Sequence, residues 1–385
     1  MAFTPDILFV IYVNKTKLIK GEFECMSTQN VNFKSIDDIL GEGDQRFFSA
    51  GFKKVLHQVG TINVDINENG QGYVTAKANV FYPSSWSKKT EDTDLKPHLS
   101  TIDALVLAVQ MNEVYLNHMY GLDENQRKKM WLRRFVMKAG STPQEDLTDF
   151  TIETRHLETK NVIGSLYGYI SIFESKVGTI KVRCEIEHEM GERQTEGAFF
   201  SNIEEILGTS VSRYFGTGYK LRKQIIEDVV IDTKTQRAEA LITIEQSEDE
   251  ELVNEGLEAY YRSSLSAIDC MTSVAQLGQA LLYTLDNIHR SKSNTLWMRQ
   301  VIIERKNPNE SCTPFIASTQ VAQSKLLKIK GNIWRTSELT GTFKDFDLRY
   351  YVAHELPVNE WGNYEDFESC ERNGEKDKSR LQLQK

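Results

Sequence analysis

The chain has 385 residues, 40% hydrophobic and 26% charged, which is ordinary for a globular protein and long enough for two domains or two fused halves. Its formal net charge of −9, with no Lys/Arg-rich block, argues against nucleic acid or an anionic membrane surface as the main partner. The five cysteines (Cys25, Cys184, Cys270, Cys312, Cys370) form no C-x-x-C pair, which argues against a zinc ribbon or a disulfide framework and fits a reducing cytoplasm.

Residues 1–30 read as an N-terminal extension with little part in the fold, and Met26 is an alternative start. The apolar run 7–13 is too short for a bilayer, which needs about 20 residues. It lacks a basic flank and a cleavage site, so no secretory signal is expected. A short helix is expected over 36–40, then strands over 53–66 and 73–81 joined by a glycine-containing turn at 67–72. A long helix over 99–119 follows, with Ser100 or Thr101 as its cap and an apolar stripe of Ile102, Leu105, Val106, Val109 and Leu116. Strands are expected over 131–138, 150–156, 165–173 and 178–188. A second long helix over 265–287 is again followed by strands from 296 onwards. Residues 358–385 read as a polar, disordered tail in which Trp361, Tyr364 and Phe367 could dock.

These elements are one unit written twice. Ser35-Ile-Asp-Asp-Ile-Leu-Gly41 returns as Asn202-Ile-Glu-Glu-Ile-Leu-Gly208, and Arg46-Phe-Phe-Ser-Ala-Gly-Phe-Lys53 as Arg213-Tyr-Phe-Gly-Thr-Gly-Tyr-Lys220, both at an offset of 167. Leu99-Ser-Thr-Ile-Asp103 returns as Leu265-Ser-Ala-Ile-Asp269 at 166, and 177–181 matches 340–344 at 163. The expected units are 31–195 and 196–357. One long helix among mostly antiparallel strands is the hotdog pattern, so the expected fold is α+β, a tandem double hotdog with each curved sheet around one central helix. The two copies would form a pseudo-dimer within one chain.

Asp103 and Asp269 open the two long helices, and Gln110 and Gln276 lie seven residues later on the same helix faces. A carboxylate in an apolar cleft is a plausible proton shuttle. Equally, these acids are first-turn residues that the helix dipole favours. His98, whose counterpart is Ser264, and His57, whose counterpart is Gln224, occur in the first copy alone. His98, beside Asp103, is the better candidate acid/base, and His57 is a weaker one for substrate contact. Arg133 and Arg299 follow a tryptophan at strand starts, where they can bind phosphate or carboxylate or else pair with an acid such as Asp103. Lys53, Lys54 and Lys220 are weaker candidates for phosphate contact and read first as solvated surface lysines. Nucleotide-loop, dinucleotide, zinc-protease and serine-hydrolase motifs are absent, so no cofactor is expected.

Over 33–357, and most specifically at 35–53, Tyr82-Pro-Ser-Ser-Trp-Ser87, Leu95-Lys-Pro-His-Leu-Ser-Thr-Ile-Asp-Ala104 and 131–143, the chain resembles the bacterial avirulence protein D (AvrD) family. The resemblance implies synthesis of syringolides, acylated sugar-derived lactones, from a β-ketoacyl precursor and a pentulose. The helix start Leu-Ser-Thr-Ile-Asp-Ala also looks like that of double-hotdog dehydratases, and A-factor-type butyrolactone synthases use paired hotdogs too. The chain departs from the dehydratase pattern, because His57 is followed by neither the glycine spacing nor the proline of its histidine box.

The expected function is therefore a cytoplasmic enzyme that transfers or condenses a β-ketoacyl group, carried on an acyl carrier protein or CoA, onto a sugar-type acceptor. Asp103, Asp269 and His98 would be catalytic. Gln110, Gln276, Arg133, Arg299 and His57 would bind substrate. A pseudo-dimeric monomer or a homodimer is expected. The alternatives are a hotdog dehydratase or thioesterase, and a non-catalytic protein that binds acyl ligands.

Overall fold

The computed structural model describes residues 18–19, 30–66, 71–88, 95–293, 295–309 and 313–357. Most of the N-terminal extension, the tip of the expected turn at 67–72 and the expected disordered tail lie outside the described residues. Within the extension, strand β1 (Leu18–Ile19) pairs with residues 326–327, a contact that the reading of 1–30 did not anticipate.

The remaining elements fall into two matching series. The first holds β2 (Asn30–Ser35), helix α1 (Asp37–Leu40), β3 (Leu56–Ile66), β4 (Gly72–Phe81), helix α2 (Thr101–Met119) and helix α3 (Glu124–Lys129). It ends with β5 (Trp131–Lys138), β6 (Phe150–Asn161), β7 (Tyr169–Val177) and β8 (Ile180–His188). The second holds β9 (Ala198–Asn202), helix α4 (Glu204–Leu207), β10 (Arg222–Asp232), β11 (Arg237–Gln246) and helix α5 (Ala267–Leu285). It closes with β12 (Trp297–Arg305), β13 (Phe315–Ile329), β14 (Asn332–Phe343) and β15 (Phe346–Glu355).

All pairings among these strands are antiparallel, and they join into one α+β sheet system in the order β2-β10-β11-β13-β14-β15-β12-β5-β8-β7-β6-β4-β3-β9. The series is symmetric about the β5–β12 contact, whose register is Gln300↔Lys138, Ile302↔Val136 and Glu304↔Arg134. Shifting each number by 166 maps these pairs onto one another, so Val136 and Ile302 lie on a local two-fold axis. β2 pairs with β10 and β9 with β3, so each repeat lends its first strand to the other. Neither strand was expected, because five or six residues of mixed polarity such as Asn30–Ser35 carry little periodic signal.

Long-range bonds repeat the same symmetry. Gln110 donates to the Phe215 carbonyl at 2.6 Å, and Gln276 donates to the Phe48 carbonyl at 3.1 Å. Lys53 donates to the Arg222 carbonyl and Lys220 to that of Val55, while Phe52 stacks on Tyr219. Lys53 and Lys220 are thus half-buried braces, not the solvated lysines expected.

Helices α2 and α5 form the floor of the core. Every residue of α2 except His118 is buried, as suits a helix that packs against β4 to β8. α5 packs in the same way against β10 to β14. Both begin two residues later than expected, because Ser100 and Ser266 serve as N-caps. β7 starts four residues later than expected, since Gly164 and Gly168, at φ 88° and 83°, turn the chain before it.

One repeat match is corrected. The β7–β8 hairpin closes at Val177↔Ile180 and the β14–β15 hairpin at Phe343↔Phe346, an offset of 166 and not 163. The turn residues Gly178 and Lys344 share φ of 57° and 55°. The two Gly-Thr dipeptides that suggested 163 are out of register by three residues.

If Gln110 is a brace, Gln110→Ala should lower stability by about 1–3 kcal/mol in urea unfolding, because the Phe215 carbonyl then loses its buried donor.

Candidate active site

The two long helices start with the same device and use it differently. Ser100 accepts from the Asp103 backbone N–H at 3.1 Å, and the Asp103 carboxylate accepts back from the Ser100 N–H at 2.9 Å and its hydroxyl at 2.6 Å. Ser266 and Asp269 repeat this capping box. The other face of each carboxylate differs between the halves. Asp103 accepts from His57 Nε2 at 2.8 Å and from the Tyr82 hydroxyl. Asp269 accepts from Gln224 at 2.8 Å and from Arg222 at 2.7 Å, and Arg222 also holds Glu250 at 2.7 Å. Gln224 is the counterpart of His57, and Val55 that of Arg222.

These partners decide the charge states. Burial raises the Asp103 carboxyl, but hydrogen bonds from His57, Ser100 and Tyr82 outweigh it and hold the group below the usual aspartate value. Burial, and then the Asp103 charge, push the Tyr82 phenol well up, so Tyr82 remains a donor. Burial disfavours the Arg222 charge, yet Asp269 and Glu250 more than compensate and the guanidinium stays charged.

A cavity of about 560 Å³ lies between the start of α2 and the second repeat. Its walls include Phe47, Trp86 and His98 from the first repeat and Gln276, Trp297 and Arg299 from the second. The rings make a continuous surface: Phe47 lies 5.6 Å from Trp86, Trp86 lies 6.3 Å from His98, and His98 lies 4.9 Å from Trp297. Burial lowers the His98 pKa, so its imidazole is neutral near pH 7. Its Nδ1 sits 3.5 Å from the Lys96 carbonyl, which favours the tautomer with an unprotonated Nε2.

The expected pairing of His98 with Asp103 is corrected, because Asp103 bonds His57 instead. As the third helical residue it folds back onto its own cap and towards β3, whereas His98 precedes the cap and faces the cavity. Asp103 is fully buried behind Ser100, which itself lines the wall. Gln276 and Arg299 reach the cavity, and the Gln276 Oε1 meets no donor among the described residues. Gln110 does not line it and is spent on Phe215. Arg133 also lies outside, donating to Glu187 at 2.8 Å and lying over the Trp131 ring. Arg133 and Arg299 are the extra residues of matching bulges in β5 and β12, which re-aim their side chains. Asp269 is locked to Arg222 and has no access to the cavity.

Sequence reasoning missed Trp86, Tyr82, Arg46 and Arg290. Arg46 lies in the repeated segment 46–53 and Tyr82 and Trp86 in 82–87, and the alignment of His57 with Gln224 was the available clue to the two carboxylate partners.

The symmetry-related space beside α5 is filled by residues 253–261. Leu257 is buried and its N–H donates to Glu113 at 3.0 Å, while Glu258 accepts from the Leu132 N–H at 3.0 Å. Gly256, at φ 73°, passes so close that a Cβ would stand 2.5 Å from Glu113 Oε1. The two halves therefore share a plan, and among the described residues no segment fills the cavity beside the first helix in this way.

The arrangement defines a duplicated α+β protein with an aromatic interior cavity and a neutral histidine in its wall. The chain belongs to the family of the Pseudomonas avirulence D protein (AvrD), whose model matches residues 31–357. No curated protein matches the sequence. Among solved structures it is similar to a tesB protein of Mycobacterium avium subspecies paratuberculosis, at 5% identity and a TM-score of 0.36, covering 74% of this chain and 93% of that one. It is also similar to a conserved hypothetical protein of Mycobacterium tuberculosis described as a double hotdog, at 8% identity and a TM-score of 0.35, covering 86% and 97%. A third is a dehydratase of the borrelidin and fluvirucin polyketide synthases, at 8% identity and a TM-score of 0.30, covering 77% and 95%. Among the described residues no helix is long and apolar enough to cross a membrane.

The two carboxylates predict different failures. Arg222→Met should cost about 3–5 kcal/mol in denaturant unfolding, because Asp269 and Glu250 are left buried without their cation. The Asp103 carboxyl is depressed in the folded state, so its contribution is complete above the unfolded value of about 3.9 and is lost as pH falls through the folded value. Asp103→Asn should flatten the fall of the thermal midpoint below about pH 4.

Proposed function

We propose that this protein is an enzyme of secondary metabolism that transfers a β-ketoacyl group from a thioester onto a sugar-type acceptor inside the cavity. The observation that carries this reading is the single neutral imidazole, His98, set among aromatic rings in a cavity of about 560 Å³, a volume typical of small-molecule sites. The family membership points to secondary-metabolite synthesis. The element order of each repeat, with its buried helix against five strands, supports reading the pair as a double hotdog.

In this reading Trp86, Phe47 and Trp297 shelter the acyl chain and exclude water. His98 Nε2 accepts the proton of an acceptor hydroxyl as its oxygen attacks the thioester carbonyl. The C–S bond then breaks, and the proton passes from His98 to the departing sulfur. Asp103, with His57, Tyr82 and Ser100, is a positioning group that fixes the helix start from which the His98 loop enters.

Metabolite profiling of a host that expresses the chain should reveal an acylated sugar product, and His98→Gln should abolish it with little change in thermal midpoint. Unchanged product from His98→Gln would sink the assignment. Hydrolysis or dehydration of the thioester with no acceptor present would instead indicate a thioesterase or dehydratase. Saturable binding with no turnover would indicate a carrier. Since burial lowers the His98 pKa, the acid limb of kcat/KM should lie below pH ~6.5, the usual histidine value.

A further inference from the structure

The duplication supplies an internal control for the charge of the cavity. The open-side arginines Arg299 and Arg46 have counterparts 166 or 167 positions away on the closed side, Arg133 and Arg213. On the closed side the arginines face acids: Arg133 donates to Glu187 at 2.8 Å, and Arg213 is held by the charge of Glu113. On the open side those acids are gone. Ala353 stands opposite Trp297 where Glu187 stands opposite Trp131 in the same register, and Gln279 replaces Glu113. Arg299 is consequently left with the Gly140 carbonyl at 3.0 Å as its hydrogen-bond partner.

Two further cations face this space. Arg290 is buried and donates to the Gln45 carbonyl at 3.2 Å, with no carboxylate partner among the described residues. Arg46 is buried beside it but is already paired with Asp37 and bonded to the Ile36 carbonyl at 3.4 Å, so it mainly adds charge to the wall. Arg290 and Arg46 each lose charge stability first to burial, and Arg290 also to the charge of Arg46. The wall as a whole holds four cations (Arg46, Lys96, Arg290, Arg299) against one carboxylate, Glu145, which Lys96 engages. A protein of net charge −9 thus keeps its interior cavity positive. Desolvated guanidiniums without acids are costly unless an anion joins them, and the planar fork of arginine matches phosphate oxygens.

We propose that Arg299 and Arg290 form the cationic part of a phosphate subsite in the cavity, so that one of the substrates enters bearing a phosphate group. This deepens the acyl-transfer reading and rests on it for the identity of the site. The phosphate belongs either to a phosphorylated sugar acceptor or to the phosphopantetheine arm that carries the acyl chain; both present the same oxygens.

Quenching of tryptophan fluorescence reads occupancy directly, because Trp86, Trp297 and Trp334 line the cavity. The full-length protein is titrated with a ketopentose phosphate and the free ketopentose, and separately with pantetheine 4′-phosphate and pantetheine. In one of the two pairs the phosphorylated member should bind at least roughly tenfold more tightly, and that pair names the source. Arg299→Gln and Arg290→Gln should each lose roughly ten- to a hundredfold of that affinity. Arg133→Gln, outside the cavity, should lose none. If buried Arg290→Gln fails to fold, the half-buried Arg299→Gln carries the test. Equal affinity within both pairs, or an Arg299→Gln protein that binds as well as the parent, overturns the subsite. Product formed equally well from free and phosphorylated acceptor, with no preference between the pantetheines, removes the subsite and leaves the transfer reading standing. Phosphate-dependent binding with no acyl transfer leaves the subsite and removes that reading.

Discussion

The pairing of β5 with β12 about Val136 and Ile302 is the contact from which the rest of the molecule follows. It joins the two repeats edge to edge, and the exchange of β2 and β9 closes the outer edges of the sheet system with strands from the opposite repeat. Each repeat therefore completes the other, and one hydrophobic cluster runs through both. A cavity at the junction has walls from both repeats as a matter of geometry. It places a residue of one helix start, His98, against a strand start of the other half, Trp297.

Duplication also explains how an open site coexists with a stable frame. Two equivalent spaces were available, and one has been made structural. On the closed side Arg222, Glu250, Asp269, Glu258 and Arg305 form a buried ionic network around the inserted segment 253–261. In this network every carboxylate has an arginine partner, because an unpaired ion in the interior costs several kilocalories. On the open side the same frame keeps the carboxylate, Asp103, but satisfies it with neutral and titratable donors, Tyr82 and His57. The acids that balance arginines on the closed side are replaced by Ala353 and Gln279. Asymmetry between the halves, more than any single residue, is what distinguishes a site from a scaffold here.

Several features kept in both repeats serve the frame. Asp103 and Asp269 are capping-box acids, and Gln110 and Gln276 hold the exchanged arms through carbonyls at Phe215 and Phe48. Arg133 and Arg299 mark matching bulges. Retention across the repeat reports shared architecture, whereas the proposed site draws on positions where the copies part: His98 against Ser264, Arg299 with Ala353 beside it, Arg290 without an acid.

The sequence by itself determined the duplication, the two long buried helices with their serine caps, most of the strands and the family. These are written in local pattern: residue identity at a fixed offset, apolar spacing at the helical period, and a cap three residues before an acid. Only the tertiary structure decided that β2 and β9 change places, that the last hairpins align at 166, and that His57 and not His98 meets Asp103. It also decided that the space beside the second helix is filled by residues 253–261. Each of these depends on contacts between residues far apart in the chain, where the energy lies in burying and pairing charges that no local pattern records.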